Sequence, residues 1–127
     1  MIMDICVDFD GTCVTHEYPE IGKPIGAEKV LKELHRKGHN IILFTMRSGE
    51  RLDEAVKWYG RNVGRSLYGI NTNPTQEEWT SSPKALAQIY IDDAALGCPL
   101  KEDTRLSSRP FVCWDDIEKM LKWQGVL

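Results

Sequence analysis

Ile5-Cys6-Val7-Asp8-Phe9-Asp10-Gly11-Thr12 is the stretch on which the fold turns. Ile5 to Val7 is an apolar run with the length and branching of a buried strand. The run breaks into two carboxylates separated by one aromatic residue, with Gly11 directly behind them. While a chain is extended, residues i and i+2 point the same way. Asp8 and Asp10 are therefore expected to face one spot, and Phe9 to turn back toward the core. Two carboxylates on one spot repel, so the arrangement calls for a shared proton or a cation. Gly11 adds backbone angles closed to other residues and lets the main chain approach a ligand. A bare Asp-x-Asp at a strand end is usually a solvated turn. The whole string, placed behind a buried strand, favours a functional site.

Two further apolar runs repeat the pattern. Ile41-Ile42-Leu43-Phe44 reads as a strand buried on both faces and ends at Thr45, followed by Met46 and Arg47. Ile89-Tyr90-Ile91 runs straight into Asp92-Asp93. Between the first two runs, Ala27, Val30, Leu31 and Leu34 recur at helical spacing and Gly38 supplies a stop. This predicts a helix near residues 27–37. A second helix is predicted from about residue 50 to residue 62, with Leu52, Ala55, Val56, Tyr59 and Val63 as its apolar stripe. Tyr68-Gly69-Ile70 and Phe111-Val112-Cys113 are short candidate strands. Asp115 with Glu118 resembles a capping arrangement for a last helix that buries Ile117, Met120 and Leu121.

The remaining segments read as connections. Residues 13–26 form a loop or short flap, and residues 94–109 irregular structure or a small hairpin. Residues 71–83, rich in Asn, Pro, Thr and Ser, form a loop in which Trp79 either anchors the loop or stacks on a ligand. The alternation of strands and helices predicts one α/β domain over residues 1–127. Its expected architecture is a three-layer, Rossmann-like parallel sheet with right-handed crossovers and helices on both faces.

Bulk properties exclude several classes of function. A chain of 127 residues has the length for one domain with a real core. Its net charge of −3 gives no electrostatic case for nucleic acid or an anionic membrane. No apolar run has the length of a membrane span, and nothing at the start resembles a signal peptide, because Asp4 interrupts the apolar residues. Cys6, Cys13, Cys98 and Cys113 lack metal-ligand spacing and are expected as free thiols in a reducing cytoplasm. His16, His35 and His39 show no paired ligand spacing, which argues against zinc.

In open parallel sheets, ligands bind beyond the carboxyl ends of the strands. The three strongest strands end at Asp8/Asp10, at Thr45 and at Asp92/Asp93. Four carboxylates, a hydroxyl and the ammonium of Lys84 together describe a metal-bound phosphoryl-transfer site. On these residues the chain resembles a small, capless member of the haloacid dehalogenase superfamily of phosphohydrolases. The signs are Asp8-Phe9-Asp10-Gly11-Thr12, Thr45, Lys84, and Asp92-Asp93 after Ile89-Tyr90-Ile91. The run from Lys84 to Gly97 also resembles short members of that superfamily described only as hypothetical hydrolases. Two features depart from the superfamily pattern. Lys84 lies only eight residues before Asp92, and Ala94-Ala95 follow Asp93 where a basic residue is frequent.

The resemblance implies a phosphatase acting on phosphate monoesters. Asp8 would be the nucleophile that forms an aspartyl-phosphate, and Asp10 the acid and base. Mg²⁺ would be held by Asp8, the Asp10 backbone carbonyl, and one or both of Asp92 and Asp93. Thr45 would hydrogen-bond a phosphoryl oxygen, and Lys84 would neutralise charge on Asp8 and the transferring group. Met46 and Arg47, at the same strand end as Thr45, join Thr45 and Lys84 as substrate-binding candidates. Two other classes use similar parts. A receiver-type phosphoacceptor domain puts its acidic pair after the first strand and a lone aspartate after a central one, whereas here Asp8-Phe9-Asp10 comes first and Asp92-Asp93 late. A catalytically silent phosphate-binding or interaction module on the same fold stays open, although it has no need of a general acid at Asp10.

Access follows from chain length. Residues 13–26 and 71–83 are too short to fold as a cap domain. The site is therefore expected to be open, with Trp79 and Arg47 nearest a leaving group and with weak discrimination among small phosphate esters. Tight selectivity would need a macromolecular substrate, or a lid lent by a second copy in a homo-oligomer.

Overall fold

The apolar run before the first aspartate forms strand β1, Asp4–Val7, in the computed structural model, which describes residues 1–127. In chain order there follow α1 (Ala27–Arg36), β2 (Asn40–Leu43), α2 (Gly49–Asn62), β3 (Gly69–Ile70), β4 (Ile89–Ile91), β5 (Leu100–Lys101), β6 (Phe111–Val112) and α3 (Trp114–Trp123). Strands β1 to β4 make a parallel sheet in the order β3-β2-β1-β4. Strands β5 and β6 pair separately and antiparallel; β5 lies in the region read as irregular structure or a small hairpin, and β6 in the candidate strand at residues 111–113. The chain is thus an α/β protein with a parallel sheet, as its alternating pattern predicts. None of its helices is long and apolar enough to cross a membrane.

The strand order decides which face each connection covers. The steps β1 to β2 and β2 to β3 run in one direction, and right-handed crossovers taken in one direction share a face. Val30, Leu31 and Leu34 of α1, together with Ala55 and Tyr59 of α2, accordingly pack in one core with Ile5, Val7, Ile41, Leu43 and Ile91. These strand residues are alternate positions and so lie on one side of the sheet. Ile117 and Leu121 of α3 join the same core, and α3 lies beside α1. The step from β3 to β4 reverses direction across β1, which sends residues 71–88 over the opposite face. Helices on both faces are therefore not what is observed. The second face, with Cys6 and Ile42, packs on Ala85 of an irregular crossover.

The physical reason is legible in that crossover's composition. Residues 71–83 offer no apolar stripe, and Asn, Ser and Thr side chains compete for backbone groups in non-helical conformations. Asn73, fully buried, donates to Asp4 Oδ2 (2.9 Å) and to the Leu86 carbonyl (3.0 Å). Its own carbonyl accepts from the backbone and hydroxyl of Thr75. Buried Gln76 donates to the carbonyls of Ser82 and Lys84 and accepts from the Leu86 backbone N–H (2.8 Å). Two amide side chains thus do what a helix would have done.

At the other end, α3 starts at Trp114 with Cys113 preceding it and no side-chain cap, so Asp115 lies inside the first turn instead of capping it. The buried Trp114 indole donates to the Thr12 carbonyl (2.6 Å) and ties α3 to the first motif. Met120, expected in the buried stripe, is 44% exposed, and Trp114 takes that place.

Asn73→Ala removes four hydrogen bonds from a dry position and leaves the Leu86 carbonyl unpaired. We expect a loss on the order of 2–3 kcal/mol in urea unfolding. An unchanged midpoint would show that the crossover is held by something else.

Candidate functional site

Pairing of β1 with β4 brings the carboxylates together. Val7 lies opposite Ile91, and Asp8 N–H donates to the Ile91 carbonyl (3.0 Å), so Asp8 and Asp92 leave neighbouring strands at the same edge. The direction of crossover reverses between these two strands, which makes this edge the switch point of the sheet. Oxygens of Asp8, Asp92 and Asp93 all lie within 4.8 Å of one another. Thr12 organises the group. Its hydroxyl donates to Asp8 Oδ2 (2.9 Å), lies 3.3 Å from Asp93 Oδ1 and accepts from the Asp93 backbone N–H (3.1 Å). Burial, then the charge of Asp92, pushes the Asp8 carboxyl up to about 8, against the opposing pull of the Thr12 hydroxyl. Burial also raises Asp92. Three crowded carboxylates with no lysine or arginine among them form an oxygen donor set that suits a hard divalent cation. A cavity of about 220 Å³ opens beside Asp8 and Asp92, with Phe44 and Tyr90 among its walls.

Asp10 is not in this group. β1 ends at Val7 and the chain bends at Phe9, where the Thr12 and Cys13 N–H groups close turns onto the Phe9 carbonyl (3.1 and 2.8 Å). The i, i+2 relation of an extended chain is lost at that bend, and the two aspartates part. Phe9 is fully buried, as expected. Asp10 instead grips Arg47 through two bonds of 2.8 Å, from Nε to Oδ2 and from Nη2 to Oδ1. Arg47 Nη1 donates to the carbonyls of Pro19 and Arg51, and Nη2 also to that of Glu20. All five guanidinium hydrogens are thereby committed. The guanidinium carbon lies 5.0 Å from the Phe9 ring centre and 5.1 Å from that of Tyr18, and the residue is buried. The paired Asp10 carboxylate holds the Arg47 guanidinium above its ordinary range. Arg47 has no free donor for a leaving group, contrary to expectation.

The other expected residues are scattered. Thr45 stands past the end of β2, where its N–H donates to Asn71 Oδ1 (2.7 Å) and its oxygen accepts from the Arg47 N–H (3.1 Å), leaving its hydroxyl hydrogen uncommitted. Met46 projects into solvent at 98% exposure. Lys84 does not join Asp8: its ammonium rests 5.5 Å from the Tyr90 ring centre, on the second face. Its short, helix-free connection to β4 keeps it beyond that ring. Trp79 is largely exposed and lines the same cavity as Lys84.

Sequence reasoning missed His16. Its Nε2 lies 2.7 Å from Asp93 Oδ2, and the ring fills the space that a side chain at Gly11 would need. Gly11, at φ +79°, therefore admits an imidazole where a ligand was expected. Only the flap's short length hinted at this, since a lone histidine carries no spacing signal. Cys13 is buried with its thiol donating to the Asp8 carbonyl (3.4 Å), and burial pushes that thiol well up. All four cysteines are free.

No family model and no curated protein matches the chain. Among solved structures it is similar to the conserved protein coded by locus from Bacteroides thetaiotaomicron. The two share 38% identity over 98% of this chain and 93% of that one, with a TM-score of 0.77. The chain belongs to that protein's family.

A carboxyl raised from about 4 in the unfolded chain to about 8 in the fold binds its proton more tightly when folded. Its contribution to stability is complete below about pH 4 and is lost as pH rises through about 8. Metal-free protein should therefore lose several degrees of Tm between about pH 5.5 and pH 8.5 in a way that Asp8→Asn does not. Cation binding, which needs the deprotonated carboxylate, should tighten over the same interval and release protons in calorimetry. Parallel Tm profiles for the two proteins would contradict the crowding argument.

Proposed function

We propose that the chain is a Mg²⁺-dependent phosphohydrolase acting on phosphate monoesters by the chemistry of the haloacid dehalogenase superfamily. The observation that carries this reading is the grouping of Asp8, Asp92 and Asp93 within 4.8 Å at the switch point of the sheet. These three side chains and the Asp10 backbone carbonyl would hold the cation, which would offset negative charge on the carboxylates and on the phosphoryl oxygens. The four free cysteines are in keeping with action in the cytoplasm.

The chain's own residues divide the remaining work. Thr12 occupies Asp8 Oδ2, which leaves Oδ1 as the attacking oxygen. Oδ1 forms a bond to phosphorus while the ester P–O bond breaks, giving an aspartyl-phosphate. Asp10 gives a proton to the departing oxygen, then takes one from the water that attacks phosphorus and frees the Asp8 carboxylate. The uncommitted hydroxyl of Thr45 donates to a phosphoryl oxygen. For its part in this cycle, Asp10 must turn at least one oxygen from the guanidinium of Arg47.

That last requirement favours a second reading. A bidentate ion pair with a fully committed, buried arginine is what a catalytically silent phosphate-binding module would also show. Turnover separates the two. A panel of phosphate monoesters with Mg²⁺ should release phosphate from the wild type and not from Asp8→Asn or in excess chelator. Asp10→Asn should lose about 10²–10⁴-fold in turnover, least with nitrophenyl leaving groups, which need little protonation. Equal losses for nitrophenyl and alkyl esters would remove Asp10 from the acid role. Phosphate binding without turnover in the wild type would establish the silent module.

A further inference from the structure

On the second face of the sheet, two cavities that share Tyr90 form a groove that starts beside Asp8. Its first part is the cavity beside Asp8 and Asp92, walled by Phe44 and Tyr90. Tyr90 also walls a second cavity of about 380 Å³, which it shares with Trp79, Thr80, Ser82 and Lys84. The second cavity alone has the size of a small-molecule site, for which about 300–1,000 Å³ is usual. The Phe44 and Tyr90 rings lie 6.5 Å apart, and the Tyr90 hydroxyl is fixed by donation to the Ala85 carbonyl (2.6 Å). Trp79, 66% exposed, lines the second cavity together with Tyr90. Lys84 is exposed, pairs with no carboxylate of the chain, and is the one cationic side chain lining either cavity.

We propose that this groove holds the organic part of the substrate, and that the substrate is a phosphate monoester of a planar aromatic ring bearing a second anionic group. The inference rests on the phosphohydrolase reading and adds a substrate class to it. With the phosphoryl group at Asp8, the ring lies over Tyr90, between Phe44 and Trp79. The anionic substituent meets Lys84 at the far end. Aromatic faces favour a flat ring over a flexible alkyl chain, because the ring offers contact area at little cost in rotamer freedom. The ammonium favours an acidic ring over a neutral one. An open groove with one exposed cation supports modest preferences, in line with the limited selectivity expected of a capless site.

Three esters test the inference: 4-carboxyphenyl phosphate, phenyl phosphate and glycerol phosphate. Binding is read first in Asp8→Asn with Mg²⁺, from the part of the tryptophan emission that Trp79→Phe removes, so that no turnover is needed. The two aromatic esters should quench this emission and glycerol phosphate should not, and Trp79→Phe should abolish the change. The carboxylated ester should bind about 3–5-fold tighter than phenyl phosphate, the scale of an exposed ion pair. That ratio should approach one in Lys84→Gln, fall below one in Lys84→Glu, and shrink with added salt. In the wild-type protein, kcat/KM should show the same order of esters. Equal binding of all three esters, or a ratio untouched by Lys84→Gln, overturns the groove assignment. Selective aromatic binding without any turnover would uphold the groove and count against the phosphohydrolase reading.

Discussion

Three carboxylates crowded at one edge of a small parallel sheet are the constraint around which this molecule is arranged. Two unit charges 4.8 Å apart repel by about 3 kcal/mol at an effective dielectric of about 20. That is a large fraction of the ~5–15 kcal/mol by which a domain of this kind is stable. The fold tolerates the crowding by raising the Asp8 carboxyl to about 8, so that it keeps a proton below that pH, and by giving each carboxylate a hydrogen-bond partner: Thr12 on Asp8, the Ala94 N–H on Asp92, and His16 on Asp93. Two of those partners come from the first motif and its flap. Trp114 of α3 then locks Thr12 through its carbonyl. The arrangement stores negative charge where a strand edge, a flap and a terminal helix converge, and leaves room beside it for a cation and an anion together.

Arg47 supplies the counterpart. Its five donors join Asp10 to the flap at Pro19 and Glu20 and to α2 at Arg51. The guanidinium, held between two aromatic faces, is a rigid knot where loop, helix and first motif meet. One aspartate of the motif is thus committed to the crowded cluster and the other to a saturated cation. On the proposed mechanism, chemistry at Asp8 and proton transfer at Asp10 would be joined only when that ion pair loosens.

The strands and helices were legible because their signals are local. Ile41 to Leu43 and Ile89 to Ile91 are apolar runs of strand length, and Val30, Leu31 and Leu34 carry a clear 3.6-residue period. Asp8, Asp92 and Asp93 could be grouped because they follow strands that a parallel sheet must align. What the sequence hid depends on rotation and distance. The bend at Phe9 separates Asp8 from Asp10, and nothing in the letters reports that angle. Lys84 was placed by order alone, whereas its actual position depends on a crossover fixed by Asn73 and Gln76. His16 and Arg47 carry no spacing signal at all, because their partners lie 77 and 37 residues away.

The irregular crossover has a consequence that a helix in its place would have removed. It leaves Phe44, Tyr90, Trp79 and Lys84 accessible along the face that starts at Asp8. The proposed function rests on one premise, that Asp8 attacks phosphorus. Acid quenching of the protein during turnover of an aromatic phosphate ester with Mg²⁺, followed by peptide mass spectrometry, tests that premise directly. The account predicts a phosphoryl group on the peptide that carries Asp8, labile to hydroxylamine and absent from Asp8→Asn. Steady phosphate release with no acyl-phosphate on that peptide, or with the label on His16 or Cys13, would contradict it.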